Sequence, residues 1–193
     1  PTEDYAIWRG EVHLTTLATL FKKVRFYTRE NLGAGEIHLP AEELDTDAFA
    51  LTISDRTAAE VGLRAGARAA AWRAMGVLLR RVAPLFVRCQ PSDLGLAAQV
   101  RSPHFRRPAL FLYDRVMGGV GLAEILFQEH RSLFAAALEV LERCPCSIGC
   151  PACIGPPAES GAQGKELART LLGHLALGGA ACEAALPPGE LDR

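Results

Sequence analysis

Four of the six cysteines fall inside ten residues, Cys144-Pro-Cys146-Ser-Ile-Gly-Cys150-Pro-Ala-Cys153, with the spacing C-x-C-x3-C-x2-C. Four thiols this close oxidise readily and, once ionised, repel one another unless a cation neutralises them. A zinc ion takes four thiolates tetrahedrally at about 2.3 Å. The segment is also suited to bending. Pro145, Pro151, Pro156 and Pro157 restrict φ, and Gly149 offers a turn just before Cys150. In peptide hosts such a loop gains about 10–16 kcal/mol from its metal, enough to decide whether residues 144–157 are ordered. Four thiolates leave no open position for water, so the site would be structural rather than catalytic. Other readings use the same residues. An iron–sulfur cluster takes these ligands at other common spacings. A Cys150–Cys153 redox pair leaves Cys144 and Cys146 without a role, and a Cys144–Cys146 disulfide would be strained. Zinc ranks first. Cys89 and Cys182 stand alone and read as buried or free thiols.

At 193 residues the chain buries roughly 70% of its unfolded surface and needs no disulfides to fold. Its 49% apolar and 22% charged residues exclude a disordered tail, a collagen-like fibre and a small disulfide scaffold. It has no uncharged apolar run of about 18 residues, and PTEDYAIWRGE lacks the layout of a signal peptide. A cytoplasmic location is expected. The formal net charge of −1 is too low for a freestanding nucleic-acid binder. Any DNA contact would come from a local patch or from the rest of a larger assembly.

The pattern predicts an α+β chain. Residues 1–55 read as a small antiparallel β-rich part, with short strands near 12–17, 24–28, 36–39 and 49–53 and room for a barrel-like module. Residues 56–193 read as an α/β zinc-binding part packed against it as one unit. Helical spacing runs from 56 to 82, where Gly62, Gly66 and Gly76 each cost about 1 kcal/mol relative to Ala and either allow close packing or mark a break. Strands follow at 94–100 and 109–113, the second apolar throughout and so a central strand. A long helix over 121–143 leads into the cysteine loop, a last helix covers 163–177, and the tail after Gly178 reads as frayed.

Other features are weaker. Asp114 to Gly121 joins the central strand to the long helix, with Gly118, Gly119 and Gly121 at the junction. This is either a phosphate or nucleic-acid contact at a helix start or a tight packed turn, with Asp114 capping or ion-pairing. Arg101, His104, Phe105, Arg106 and Arg107 form a basic loop with one aromatic, a mixture suited to single-stranded nucleic acid. Lys22, Lys23, Arg25 and Arg29 with Phe21, Phe26 and Tyr27 offer a second such surface. Residues 161–166 imitate a P-loop, but Glu159 and Glu166 stand where Gly and a hydroxyl residue belong. No catalytic motif is present.

Several landmarks occur in a telling order: Asn31-Leu32-Gly33 before residues 36–40, Cys89 and Asp93, then Phe111-Leu112-Tyr113-Asp114 with Gly118-Gly119-Val120-Gly121, the four loop cysteines, and Lys165 in the last helix. Together they resemble the C-terminal zinc-binding domain of superfamily-two DEAD/DEAH-box DNA helicases, a family that includes the bacterial mitomycin repair helicases. The match is densest over 85–177. Met117 departs from the Pro common before the glycine pair, and the stretch after Cys153 is shortened. The resemblance implies zinc held by Cys144, Cys146, Cys150 and Cys153 and support for unwinding in DNA repair. It further implies ATP hydrolysis by motor domains in cis, absent here, or by a helicase subunit in trans. A docking subunit of a phage-defence type complex is the alternative.

Overall fold

The computed structural model describes residues 4–28, 30–62, 68–176, 181–185 and 190–192. Arg29, Gly66 and the Cys182 side chain lie outside the described residues. The chain runs β1 (Tyr5–Thr16), β2 (Leu20–Val24), β3 (Asn31–Glu36), β4 (Glu42–Ile53), α1 (Asp55–Glu60), α2 (Arg68–Val82), α3 (Pro84–Val87), β5 (Leu94–Gln99), β6 (Ala109–Asp114), α4 (Leu122–Gln128), α5 (His130–Arg143), α6 (Pro157–Ser160), α7 (Gly164–Ala176), β7 (Ala181–Ala185) and β8 (Glu190–Asp192). The class is α+β.

One sheet in the order β5-β6-β4-β1-β7 organises the molecule, and β8 also pairs with β1. β1 and β4 are antiparallel from Tyr5↔Ile53 to Thr16↔Glu42. β6 lies between β4 and β5, antiparallel to both, and is buried along its whole length. It is central because Ala109–Asp114 offers no polar face to solvent until its last residue. β1 and β4, from the first 55 residues, therefore share a sheet with strands that follow, while β2 and β3 form a separate two-stranded sheet. Among the described residues the sheet is open, with β5 at one edge, and no barrel closes.

Strand alternation sorts the core into two layers. Phe49, Leu51, Ile53, Leu110 and Leu112 pack with Trp72, Met75, Leu79, Leu133, Phe134 and Leu172 from the helices. Each such side chain contributes about 1.5–3 kcal/mol when fully buried. The Trp72 indole N–H donates to the Ala109 carbonyl at 2.8 Å and fixes α2 on β6. On the opposite face, Ala48, Ala50, Phe111 and Tyr113 meet Trp8 and Phe105.

The strands expected near 24–28 and 36–39 lie earlier, as β2 and β3, and three further boundaries depart from the sequence expectations. The helix expected over 56–82 is two helices, α1 ending at a turn through Val61 and Gly62, whose φ is +74°. Gly62 thus marks a break, whereas Gly76 sits inside α2 against Leu96 and Leu110 and allows close packing. The helix expected over 121–143 divides at Glu129, next to which the His130 ring Nδ1 bonds the Phe127 carbonyl at 2.7 Å. The expected frayed tail instead supplies β7 and β8, both parallel to β1. Ala-rich residues 181–185 carry little strand propensity of their own; the exposed edge of β1 gives them ladder partners. Among the described residues, no helix is long and apolar enough to cross a membrane.

Candidate metal centre

Helix α5 ends at Cys144, whose N–H still donates to the Val140 carbonyl at 3.1 Å. The first thiol is thus placed by a helix terminus. The chain then folds back. Cys153 and Gly155 N–H both donate to the Cys150 carbonyl at 3.0 Å, and the Cys150 N–H points at Cys153 Sγ, 3.4 Å away. Gly149 has φ +125°, and a Cβ there would meet the Gly155 carbonyl and Ile154 at 3.0 Å, so the expected turn before Cys150 requires glycine. Ile154 and Cys153 are buried in the main core and hold the far end of the loop.

The four Sγ atoms lie within 4.8 Å of one another. Sγ separations are 3.4 Å for Cys144–Cys146, 3.5 Å for Cys144–Cys150, 3.5 Å for Cys146–Cys153 and 3.7 Å for Cys150–Cys153. A sulfur tetrahedron around zinc has edges of about 3.8 Å, given Zn–S near 2.3 Å. A disulfide needs about 2.05 Å, and none of these thiols is bonded to another. The donor set fits one tetrahedral ion and leaves it no open position. Zinc bound there supplies cross-linking and charge neutralisation.

Lys165, at the start of α7, completes the site. Its ammonium donates to the carbonyls of Cys144, at 2.8 Å, and Cys146, and lies 3.4 Å from Cys146 Sγ. Burial works against ionising Cys146, but the Cys144 and Cys153 thiols and Lys165 outweigh it and bring Cys146 down to about 6. Burial pushes Cys153 up to about 12. One thiolate therefore forms ahead of the others where the ammonium sits.

The glycine turn is a packed turn. Asp114 is fully buried, and its Oδ2 accepts from the N–H groups of Val120 at 2.7 Å and Leu122 at 3.2 Å, capping α4. Gly118 N–H donates to the Asp45 carbonyl and Gly119 N–H to that of Val116. The phosphate reading of Gly118, Gly119 and Gly121 meets a turn in which the Gly118 and Gly119 amides already bond backbone carbonyls and the Val120 and Leu122 amides already bond the Asp114 carboxylate. Burial, then the neighbouring Asp114 and Glu11 charges, raise the pKa of Asp47 beside Gly119, and an anion would add to that repulsion. Sequence reading missed Thr46, whose hydroxyl donates to the carbonyls of Asp114 and Val116. Nothing in a lone threonine between two aspartates signals that role. Asp93 closes the turn before β5 by accepting from Gln90 N–H.

In the basic loop, Phe105 packs between Trp8, at 5.0 Å between ring centroids, and Phe111 at 6.1 Å. It anchors the loop and stays partly exposed. Arg101, His104 and Arg106 are exposed and Arg107 half-buried. The three arginines line a pocket of about 120 Å³ shared with Asp55. Arg106 has φ +56°, a conformation uncommon outside glycine. The metal cluster is built from the α5–α7 side of the fold, while this loop covers the opposite face of the sheet.

A family model described as the MrfA Zn-binding domain matches residues 75–154. The chain is 38% identical over 168 residues to the uncharacterized ATP-dependent helicase YprA of Bacillus subtilis (strain 168), covering 86% of this chain and 22% of that protein. It is 36% identical over 77 residues to the uncharacterized protein MJ1572.1 of Methanocaldococcus jannaschii, covering 38% of this chain and 69% of that one. Among solved structures, the DUF1998 helicase MrfA bound to DNA is similar with a TM-score of 0.65 and 35% identity over 88% of this chain and 22% of that chain. The chain thus spans only a small share of the helicases it matches. All four clustered cysteines fall inside the matched segment, and the chain belongs to the MrfA Zn-binding domain family.

Proposed function

We propose that this chain is the zinc-binding accessory region of an ATP-dependent DNA helicase acting in repair. In this reading Cys144, Cys146, Cys150 and Cys153 hold one structural zinc ion, and a basic surface away from the metal contacts DNA, single-stranded by preference. The observation that carries it is the four-sulfur cluster with separations near a tetrahedral edge, in a chain similar to a helicase solved with DNA. The thiols fill the zinc shell, so the metal does no chemistry on substrate. ATP hydrolysis belongs to motor domains in cis or to a helicase subunit in trans. A reducing cytoplasm, the compartment we assign, keeps the four thiols available to metal.

The DNA-facing residues we assign are Arg101, His104, Arg106 and Arg107; the three arginines place positive charge around a recess, shared with Asp55, that is large enough for a phosphate. Phe105 holds that loop on the sheet. The glycine turn is left to its structural role.

Two measurements on the purified chain test this. Elemental analysis is expected to find one zinc per chain; iron in its place, or no metal, overturns the metal assignment. Anisotropy with a labelled oligonucleotide is expected to show salt-sensitive binding that weakens when Arg101 and Arg106 are changed to Glu. No detectable binding at about 50 mM salt removes the DNA contact.

A further inference from the structure

Between β1 and β4 the chain leaves the main sheet. Among the described residues β2 and β3 pair only with each other, from Leu20↔Glu36 toward the turn, with a bulge between Lys23 and Val24. The Ile37 N–H to Thr19 carbonyl bond at 3.1 Å continues the ladder toward the body. Nearly every residue of both strands is exposed. At about 3.3 Å per residue the arm reaches roughly 20 Å from its root. A lone two-stranded hairpin is marginally stable in water, and this one buries almost nothing to offset that.

Its tip carries the two most exposed aromatics among the described residues. Phe26 is 87% and Tyr27 91% exposed. They meet edge to face at 5.2 Å, which leaves ring faces open. The Arg25 N–H to Glu30 carbonyl bond and the Arg25–Glu30 ion pair at 3.0 Å close the turn behind them. Along one face of the arm, Phe21 folds over Gly35 and Lys23 sits 5.8 Å from the Phe21 ring. Opposite Lys23, Gly33 has open space around it. That face is a ledge with an aromatic and an ammonium on one strand and no side chain on the other. Residues 20–36 hold four basic and two acidic side chains in a chain of net charge −1. The positive excess is concentrated in the arm.

We propose that the β2–β3 arm is a single-strand nucleic-acid contact, with Phe26 and Tyr27 stacking on bases while Lys22 and Lys23 meet the phosphates. Stacking rings beside a basic strand is the chemistry by which such surfaces hold unpaired bases without reading sequence. A protein partner would use the apolar rings but has no general need for the lysines or the bare glycine ledge. The proposal rests on the reading of the chain as a DNA-contacting region.

The test is binding of the full chain to a labelled oligothymidylate of about 20 nucleotides, followed by anisotropy across a salt series. Phe26→Ala/Tyr27→Ala is expected to weaken binding about tenfold or more with the salt slope unchanged. Lys22→Gln/Lys23→Gln is expected to flatten the slope by about 1.4, at roughly 0.7 per phosphate contact on a single strand. Phe26→Leu/Tyr27→Leu keeps apolar bulk without π faces and is expected to behave like the alanine pair; wild-type affinity in it overturns stacking. All four side chains changed are solvent-facing, so melting temperature and zinc content serve as folding controls. If the wild type binds and the alanine pair binds within about twofold of it, the arm serves a protein instead, and this proposal falls while the DNA reading stands. If the wild type does not bind, both fall.

Discussion

A single ammonium sits where two cysteine carbonyls and one cysteine sulfur converge. Lys165 comes from a different helix than any of the four thiols, yet it bonds the loop at Cys144 and Cys146. Zinc with four thiolates carries a net charge of −2, and in a half-buried setting that charge needs a nearby cation or aligned N–H donors. Partners just outside a metal shell typically account for 10–100-fold in affinity. Lys165→Met keeps the stem and removes the charge. We expect zinc transfer from this variant to a chromogenic chelator to show affinity lowered by about 10–100-fold, with the fold retained. Unchanged affinity would assign the lysine to loop packing alone. The sequence displayed the thiols through their spacing, but the lysine lies 12 residues past the last of them, and only the family pattern drew attention to it. Its contacts depend on how α7 packs on α5, which no local pattern encodes.

At the level of elements, the fold depends on strands and helices coming closer than ordinary side chains permit. A Cβ on Gly95 would stand 2.1 Å from the Tyr113 ring, and one on Gly76 would stand 2.6 Å from Leu96. The two sites differ in what opposes the change. Gly76→Ala gains about 1 kcal/mol of helix propensity and meets the tip of a leucine that has some freedom to move. Gly95→Ala drives a methyl into a buried ring held between strands, where overpacking costs about 1–3 kcal/mol. Chemical denaturation should therefore show Gly95→Ala clearly destabilised and Gly76→Ala near the wild type; the reverse order would mean that α2, not β5, sets the spacing. The period-2 and period-3.6 patterns located β4, β5, β6, α2, α5 and α7 because each buries a continuous face. They missed the division at Glu129, next to which one histidine ring bonds the backbone, and β7, whose alanines become a strand only because β1 leaves an edge open. The glycine turn was legible as a turn, but not its bracing by Thr46 and Asp45 from a strand 70 residues upstream.

On the scale of the whole molecule, the question is whether the metal loop hangs from the fold or is part of it. Cys153 and Ile154 are buried in the same core as Trp72, Leu133 and Leu172. The loop also joins α5 to α7, which pack against each other and on α2. Lys165 ties the start of α7 to the loop's first turn. Without the metal, the cluster would hold four close thiols with one ammonium, that of Lys165, beside them. The loop would relax by moving residues that α5, α7 and α2 all touch. Metal removal should then be felt by the entire cooperative unit. A transmitted loss of about 3 kcal/mol would lower the melting temperature of a chain this size by roughly 6–12 °C. Calorimetry with and without a chelator is expected to show one transition shifted downward and still single. An unshifted main transition, with hydrogen exchange accelerated only over 144–157, would mean that the loop is an appendage. The arm at β2–β3 supplies the internal contrast. Among the described residues neither of its strands contributes a side chain to that core, so its amides should exchange quickly whether or not zinc is bound, and slow only when a nucleic-acid strand covers them.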